Sequence, residues 1–261
     1  MNHSSRVSIV AASAAFLFVG AVAAQEANDG PAVVVETFGC TYNDGNDLND
    51  MLAVAGRWNA WADERNLTTY AGSVLTPFLV SDQNTLDVGW LGVAPNGAAM
   101  GAVSTLYMNE GQELEADFQE VADCTSHTRY AARPIHVPEG GPAPNTGESP
   151  SLLSFSDCSI LDGRTAQEAQ AALAAWSEYL AENGHDGFSG VLYGLEGLRD
   201  DIDYNFKWIQ AFPDMEAHGR VTDIVTGGGF RVAQNTLGRI VDCDSPRVYL
   251  VNSIRQMAPP E

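Results

Sequence analysis

Two segments of the chain begin on apolar, partly β-branched runs, Val33–Thr41 and Leu152–Ser159, and both predict strands. After each, apolar positions return at helical spacing: Met51, Leu52, Ala55, Trp58 and Ala62 in the first, Ala172, Leu173, Trp176, Tyr179 and Leu180 in the second. Second strands are predicted over Ser73–Val80 and Val191–Leu195. Third strands are predicted over Leu86–Val93 and Tyr204–Ala211, each stopped by a proline turn. Helical regions follow from about Ala98 to Ala122, broken near Gly111, and from about Met215 to Val241, interrupted by Gly227-Gly228-Gly229. The last strands are predicted over Arg129–Val137 and Arg247–Ile254.

The pattern occurs twice because landmark residues recur at a fixed offset of 118: Cys40 with Cys158, Asp44-Gly45 with Asp162-Gly163, Trp58 with Trp176, Trp90 with Trp208, and Pro95 with Pro213. One inserted residue then moves the offset to 119, aligning Asp123-Cys124 with Asp242-Cys243 and Tyr130 with Tyr249. Self-similarity over more than a hundred residues means a duplicated domain rather than a solenoid. Each copy reads βαββαβ, so the fold class is α+β: two tandem ferredoxin-like modules, each an antiparallel sheet with helices on one face. The bare faces need cover, and two copies in one chain supply it by packing sheet against sheet as an intramolecular pseudo-dimer. The boundaries are residues 31–138 for the first repeat and 151–257 for the second. A Pro/Gly-rich linker over 139–150 separates them.

In this order of elements the first strand ends where the last begins, and the two are neighbours. Of the three pairings open to four cysteines, the fold selects Cys40–Cys124 and Cys158–Cys243. No C-x-x-C pair argues for a metal instead. Asp44-Gly45 and Asp162-Gly163 make turns, and helix caps follow them. Thr165 with Glu168 has the capping-box pattern, and Asp47 with Asp50 holds those places in the first copy.

The N-terminus has Arg6, an apolar stretch from Val7 to Val22, and small residues up to Ala24. This is the layout of a signal peptide over residues 1–24, and it predicts a periplasmic or extracellular protein with no membrane attachment after cleavage. An oxidising compartment agrees with paired cysteines. The chain is acidic, with net charge −21. Such a field repels nucleic acid and anionic lipid, and the spread of the carboxylates reads as solubility.

Known chemical motifs are few. Asn43–Asp50 offers oxygen ligands without the spacing of a calcium loop, Gly227–Phe230 is not a dinucleotide fingerprint, and Gly187–Gly190 is not a nucleophile elbow. No metal and no cofactor are expected. His218 and His136 have no histidine at the aligned place in the other copy, and each could mark a site in one half only. Trp90 and Trp208, near the end of the third strands, could line a groove between sheet and helices, with Tyr107 and Tyr193 as weaker candidates.

Paired units with C-x3-DG, a helical Trp, a strand Trp before Pro and a D-C ahead of the last strand resemble secreted proteins of marine bacteria. At fold level the unit also resembles the dimeric α/β-barrel superfamily, which includes antibiotic-biosynthesis-type monooxygenases and stress-responsive barrel proteins. That resemblance implies a small-molecule cavity between sheet and helices and transfers no site residue. The leading expectation is a disulfide-stabilised, non-catalytic protein that binds a small molecule or another protein. The alternative is a cofactor-independent oxygenase- or isomerase-type enzyme using an apolar pocket.

Overall fold

The computed structural model describes residues 32–138, 150–185 and 187–258. The expected signal peptide, and the expected linker apart from residue 150, lie outside them. The strands are β1 (Val33–Tyr42), β2 (Ala71–Leu79), β3 (Val88–Ala94), β4 (Ala122–His136), β5 (Ser151–Ile160), β6 (Phe188–Glu196), β7 (Phe206–Phe212), β8 (Val241–Cys243) and β9 (Arg247–Arg255). The helices are α1 (Leu48–Glu64), α2 (Gly97–Glu110), α3 (Gln112–Val121), α4 (Ala166–Glu182), α5 (Met215–Ile224) and α6 (Phe230–Thr236).

All pairings are antiparallel, and the strands follow one another as β7-β6-β4-β1-β3-β2-β9-β5. A further β7–β5 pairing closes these eight into a barrel. Within it β1 lies between β4 and β3, and β5 lies between β9 and β7. The short β8 continues the β9 side of β5.

Two expectations need correction. The halves do not pack as two sheets; they join edge to edge through β2–β9 and β4–β6. An open edge exposes a row of unpaired N–H and C=O groups, and closure pairs them. The last strand of the first half also begins earlier than predicted, at Ala122, so Cys124 lies within it. Its counterpart breaks into β8 and β9 at Asp244-Ser245-Pro246. Proline has no N–H to give the ladder, and the Asp157 N–H donates to the Asp244 side chain at 2.7 Å instead.

Val35, Leu75, Tyr130, Leu153, Phe155 and Leu192, from both halves, fill the barrel interior. The helices cover the outside. In α1, Met51, Val54, Ala55, Trp58 and Ala62 are buried, and in α4, Ala169, Leu173, Trp176 and Leu180. Each large side chain so buried stabilises by roughly 1.5–3 kcal/mol. Both helices begin in capping boxes, Asp47 with Asp50 and Thr165 with Glu168. The break at Gly111 separates α2 from α3. In the second half a π-helical turn over Val225–Gly229 occupies the glycine-rich interruption.

The cysteines pair as Cys40–Cys124 and Cys158–Cys243, each joining directly opposed residues of neighbouring strands. Among the described residues no helix is long and apolar enough to cross a membrane.

Candidate functional site

Strand β1 is apolar around one carboxylate. Val34, Glu36 and Phe38 alternate onto the face that meets the helices. Glu36 is nonetheless only 7% exposed. A buried carboxylate needs partners, and three residues supply them.

Tyr70, just ahead of β2, donates its hydroxyl to Glu36 Oε1 at 2.8 Å. Trp90 on β3 donates Nε1–H to the Tyr70 oxygen at 3.0 Å. The register sets Gly92 of β3 opposite Glu36, and a Cβ there would lie 1.8 Å from Tyr70 Oη and 2.9 Å from Glu36 Cγ. Only glycine leaves room for this pair. On β4, His127 Nε2 lies 2.9 Å from Glu36 Oε2, and its ring stacks on Phe38 at 3.8 Å. Arg129, two residues on and therefore on the same face, brings Nε to 3.5 Å from the same oxygen. Its Nη2 donates to Ser104 Oγ of α2 at 2.8 Å, and its Nη1 lies 3.5 Å from Glu196 Oε2.

Burial pushes the Glu36 carboxyl up. The hydrogen bonds from His127 and Tyr70, with the neighbouring positive charges, pull it further down, so it lies below the ordinary carboxylate value. Burial, then the Glu36 charge, raises Tyr70 well above the ordinary phenol value. Glu36 is thus an anion that accepts, Tyr70 a neutral donor, and Nε2 of His127 carries the proton toward the carboxylate. When the ring is neutral, Nδ1 is then its proton-accepting nitrogen.

This cluster opens on a cleft of about 230 Å³ lined by His127, Arg129, Glu196 and Gly197. Gly197 has φ +73°, and a Cβ on it would lie 2.1 Å from the His127 carbonyl oxygen, so the cleft wall depends on glycine there. The expected apolar pocket between sheet and helices is replaced by packed side chains: Trp58, Tyr70, Met100, Val103 and Leu114 fill that space. A larger groove of about 690 Å³ runs over the π turn, lined by Val225, Thr226, Gly227, Gly228, Phe230 and Arg231, with no histidine or carboxylate. Among the described residues no group of three His, Cys, Asp or Glu is placed to hold a metal ion.

Of the residues singled out in the sequence, Trp90 belongs to the cluster. Trp208, its counterpart, packs against the core under α4, and its Nε1 is buried with no hydrogen-bond partner. Tyr193 lies against that same core and accepts a hydrogen bond from Gln170. Tyr107 donates to Glu115 and meets the edge of Trp61. His218 stands edge-on to Phe212, and burial lowers its pKa. His136 is on β4 opposite Ser189 of β6. Sequence reasoning missed Glu36, Tyr70, His127 and Arg129. A single acid inside "VVVETFGC" was the available signal.

No family profile and no curated protein matches the chain. Solved structures do match in fold. A candidate monooxygenase from Fusobacterium nucleatum aligns at TM-score 0.54 and 6% identity, over 86% of this chain and 94% of its own. An anthrone oxidase-like protein aligns at 0.52 and 13%, over 88% and 97%. A candidate chlorite dismutase aligns at 0.51 and 10%, over 86% and 96%. These descriptions name enzymes, and they overturn the expectation of a non-catalytic binding protein. At such identities the likeness establishes the fold alone: an α+β chain with a closed antiparallel eight-stranded barrel.

Proposed function

We propose that the first half of the barrel carries the active site of an enzyme that moves a proton on a small polar substrate. His127 is the general base through Nδ1. Glu36, held by Tyr70, fixes the ring and its tautomer. Arg129 is placed beside the cleft to stabilise negative charge on the substrate as the proton leaves. The single observation that carries this reading is the hydrogen bond from an exposed histidine in a cleft wall to a buried, ionised carboxylate.

The enzyme names of the fold neighbours support catalysis as the class. The chemistry proposed here is the kind an isomerase or a cofactor-independent oxygenase begins with. A macrocyclic redox cofactor such as haem does not fit this cleft. The cleft volume of about 230 Å³ is below the ~300–1,000 Å³ of ordinary ligand pockets. No step is therefore routed through such a group.

The test is solvent-deuterium exchange into a panel of small carbon acids, followed by NMR. Wild-type protein should accelerate exchange into at least one compound, and His127→Asn should lose the effect by about a hundredfold or more. Equal exchange by the variant, or a panel untouched by the wild type, refutes the reading.

Two finer points of organisation belong to the same proposal. The halves descend from one duplicated ferredoxin-like module, a reading supported by their equal strand order and equivalent cystines. The N-terminal residues act as a leader to an oxidising compartment, a reading supported by those cystines.

A further inference from the structure

Lys207 is the only lysine in the chain; every other basic side chain among its 13 Lys and Arg residues is arginine. Lysine is ordinarily a solvated surface residue. This one stands on β7 in alternation with Ile209 and Ala211, which face the barrel interior, and its side chain is 18% exposed. Asp157 of β5, directly opposite in register, forms an ion pair with it. Arg247 of β9 takes the other Asp157 oxygen at 3.1 Å and also reaches Asp244 at 3.3 Å. The Tyr204 ring lies 4.4 Å from Nζ, and the Tyr204 hydroxyl bonds to that of Tyr130. Tyr249 of β9 completes the set of titratable groups around it. In the first half the places of Asp157, Lys207 and Arg247 are held by Gly39, Gly89 and Thr128. The second half alone carries this cluster.

We propose that Lys207 is a carbonyl-reactive amine, which forms an imine with a small aldehyde or ketone reaching it from the solvent side. Two cations share the Asp157 carboxylate. Arginine does not deprotonate, so the lysine is the one that gives up its proton, to Asp157. The amine nitrogen then adds to the carbonyl carbon, and the oxygen takes up the displaced electron pair. That oxygen collects the proton held by Asp157 and a second from the nitrogen, and leaves as water as the C=N bond forms. Ammonium plus carbonyl thus becomes protonated imine plus water, with no other reactant. The product keeps the positive charge beside Asp157, so the ion pair survives the reaction. Burial outweighs the opposing Asp157 charge, lowers the Lys207 pKa and favours the free amine.

The test treats the folded protein with propanal and sodium cyanoborohydride at neutral pH. Intact mass gives the adduct count, and peptide mapping separates Lys207 from the N-terminal amine. The lysine should be alkylated about tenfold faster in the folded chain than in the urea-unfolded chain. His127→Asn should leave that rate unchanged, which keeps this result separate from the proton-transfer site. Lys207→Arg should remove the internal adduct. Alkylation of Lys207 at an equal or lower rate in the folded chain overturns the proposal.

Discussion

The two halves follow one strand order but place their charges on opposite faces of the sheet. In the first, Glu36, His127 and Arg129 stand on the outer face beneath the helices. In the second, the place of Glu36 is Ser154, also buried, and the charges Asp157, Lys207 and Arg247 stand on the inner face. The two tryptophans register the same contrast. Trp90 donates to Tyr70, whereas Phe188 occupies the aligned place in the second half and Trp208 Nε1 has no partner. A shared backbone therefore prescribes the cystines, caps and strand tryptophans, while the polar clusters are free to differ between halves.

The largest effect should be common to both halves. Removing either cystine as a Cys→Ala pair opens a closed loop with sequence separation 84 or 85. Chain entropy puts the cost at about 4.5 kcal/mol in each case, read from urea unfolding midpoints. A twofold difference between the two pairs would break the equivalence of the halves.

The next effect should divide them. Glu36→Gln removes the anion between His127 and Arg129 and should cost about 3 kcal/mol. Ser154→Ala should cost about 1 kcal/mol or less. Equal costs would remove the distinction drawn here.

The pH dependence sharpens it. The Glu36 carboxyl lies below its ordinary value in the folded chain, so the unfolded chain binds the proton more tightly. Its contribution is complete above the ordinary glutamate range and is lost as pH falls through the lowered folded value. Urea midpoints of the wild type should therefore fall in acid more steeply than those of Glu36→Gln, and parallel curves would contradict the assignment. The smallest effect concerns the tryptophans. Trp90→Phe forfeits a hydrogen bond worth about 1 kcal/mol that Trp208→Phe does not, beyond similar losses of packing in both.

Much of the fold was legible because it follows from local patterns. Apolar, partly β-branched runs marked the first strands, the spacing of Trp58 and Trp176 marked inner helix faces, and Gly111 and Gly227–Gly229 marked the interruptions. The cystine pairing followed from strand order alone. Closure of the barrel was not legible. Edge pairing uses backbone N–H and C=O groups that every residue has, and the side chains of β2 and β9 carry no signature of it. Of the site, Trp90 could be named because a strand tryptophan before a proline turn is rare. Glu36 could not, because one acid in an apolar run reads equally as an edge residue or a buried anion. The choice depends on Tyr70, His127 and Arg129, which lie 34, 91 and 93 positions away. Their meeting is a product of the closed sheet.

The measurement that bears most directly on the first-half site is the 15N spectrum of the His127 ring at mildly alkaline pH, in the wild type and in Glu36→Gln. The account predicts a wild-type ring fixed as the Nε2–H tautomer with a bare Nδ1, and a mixture of tautomers in the variant. A wild-type ring protonated on Nδ1, or a ring that Glu36→Gln leaves unaltered, would contradict it.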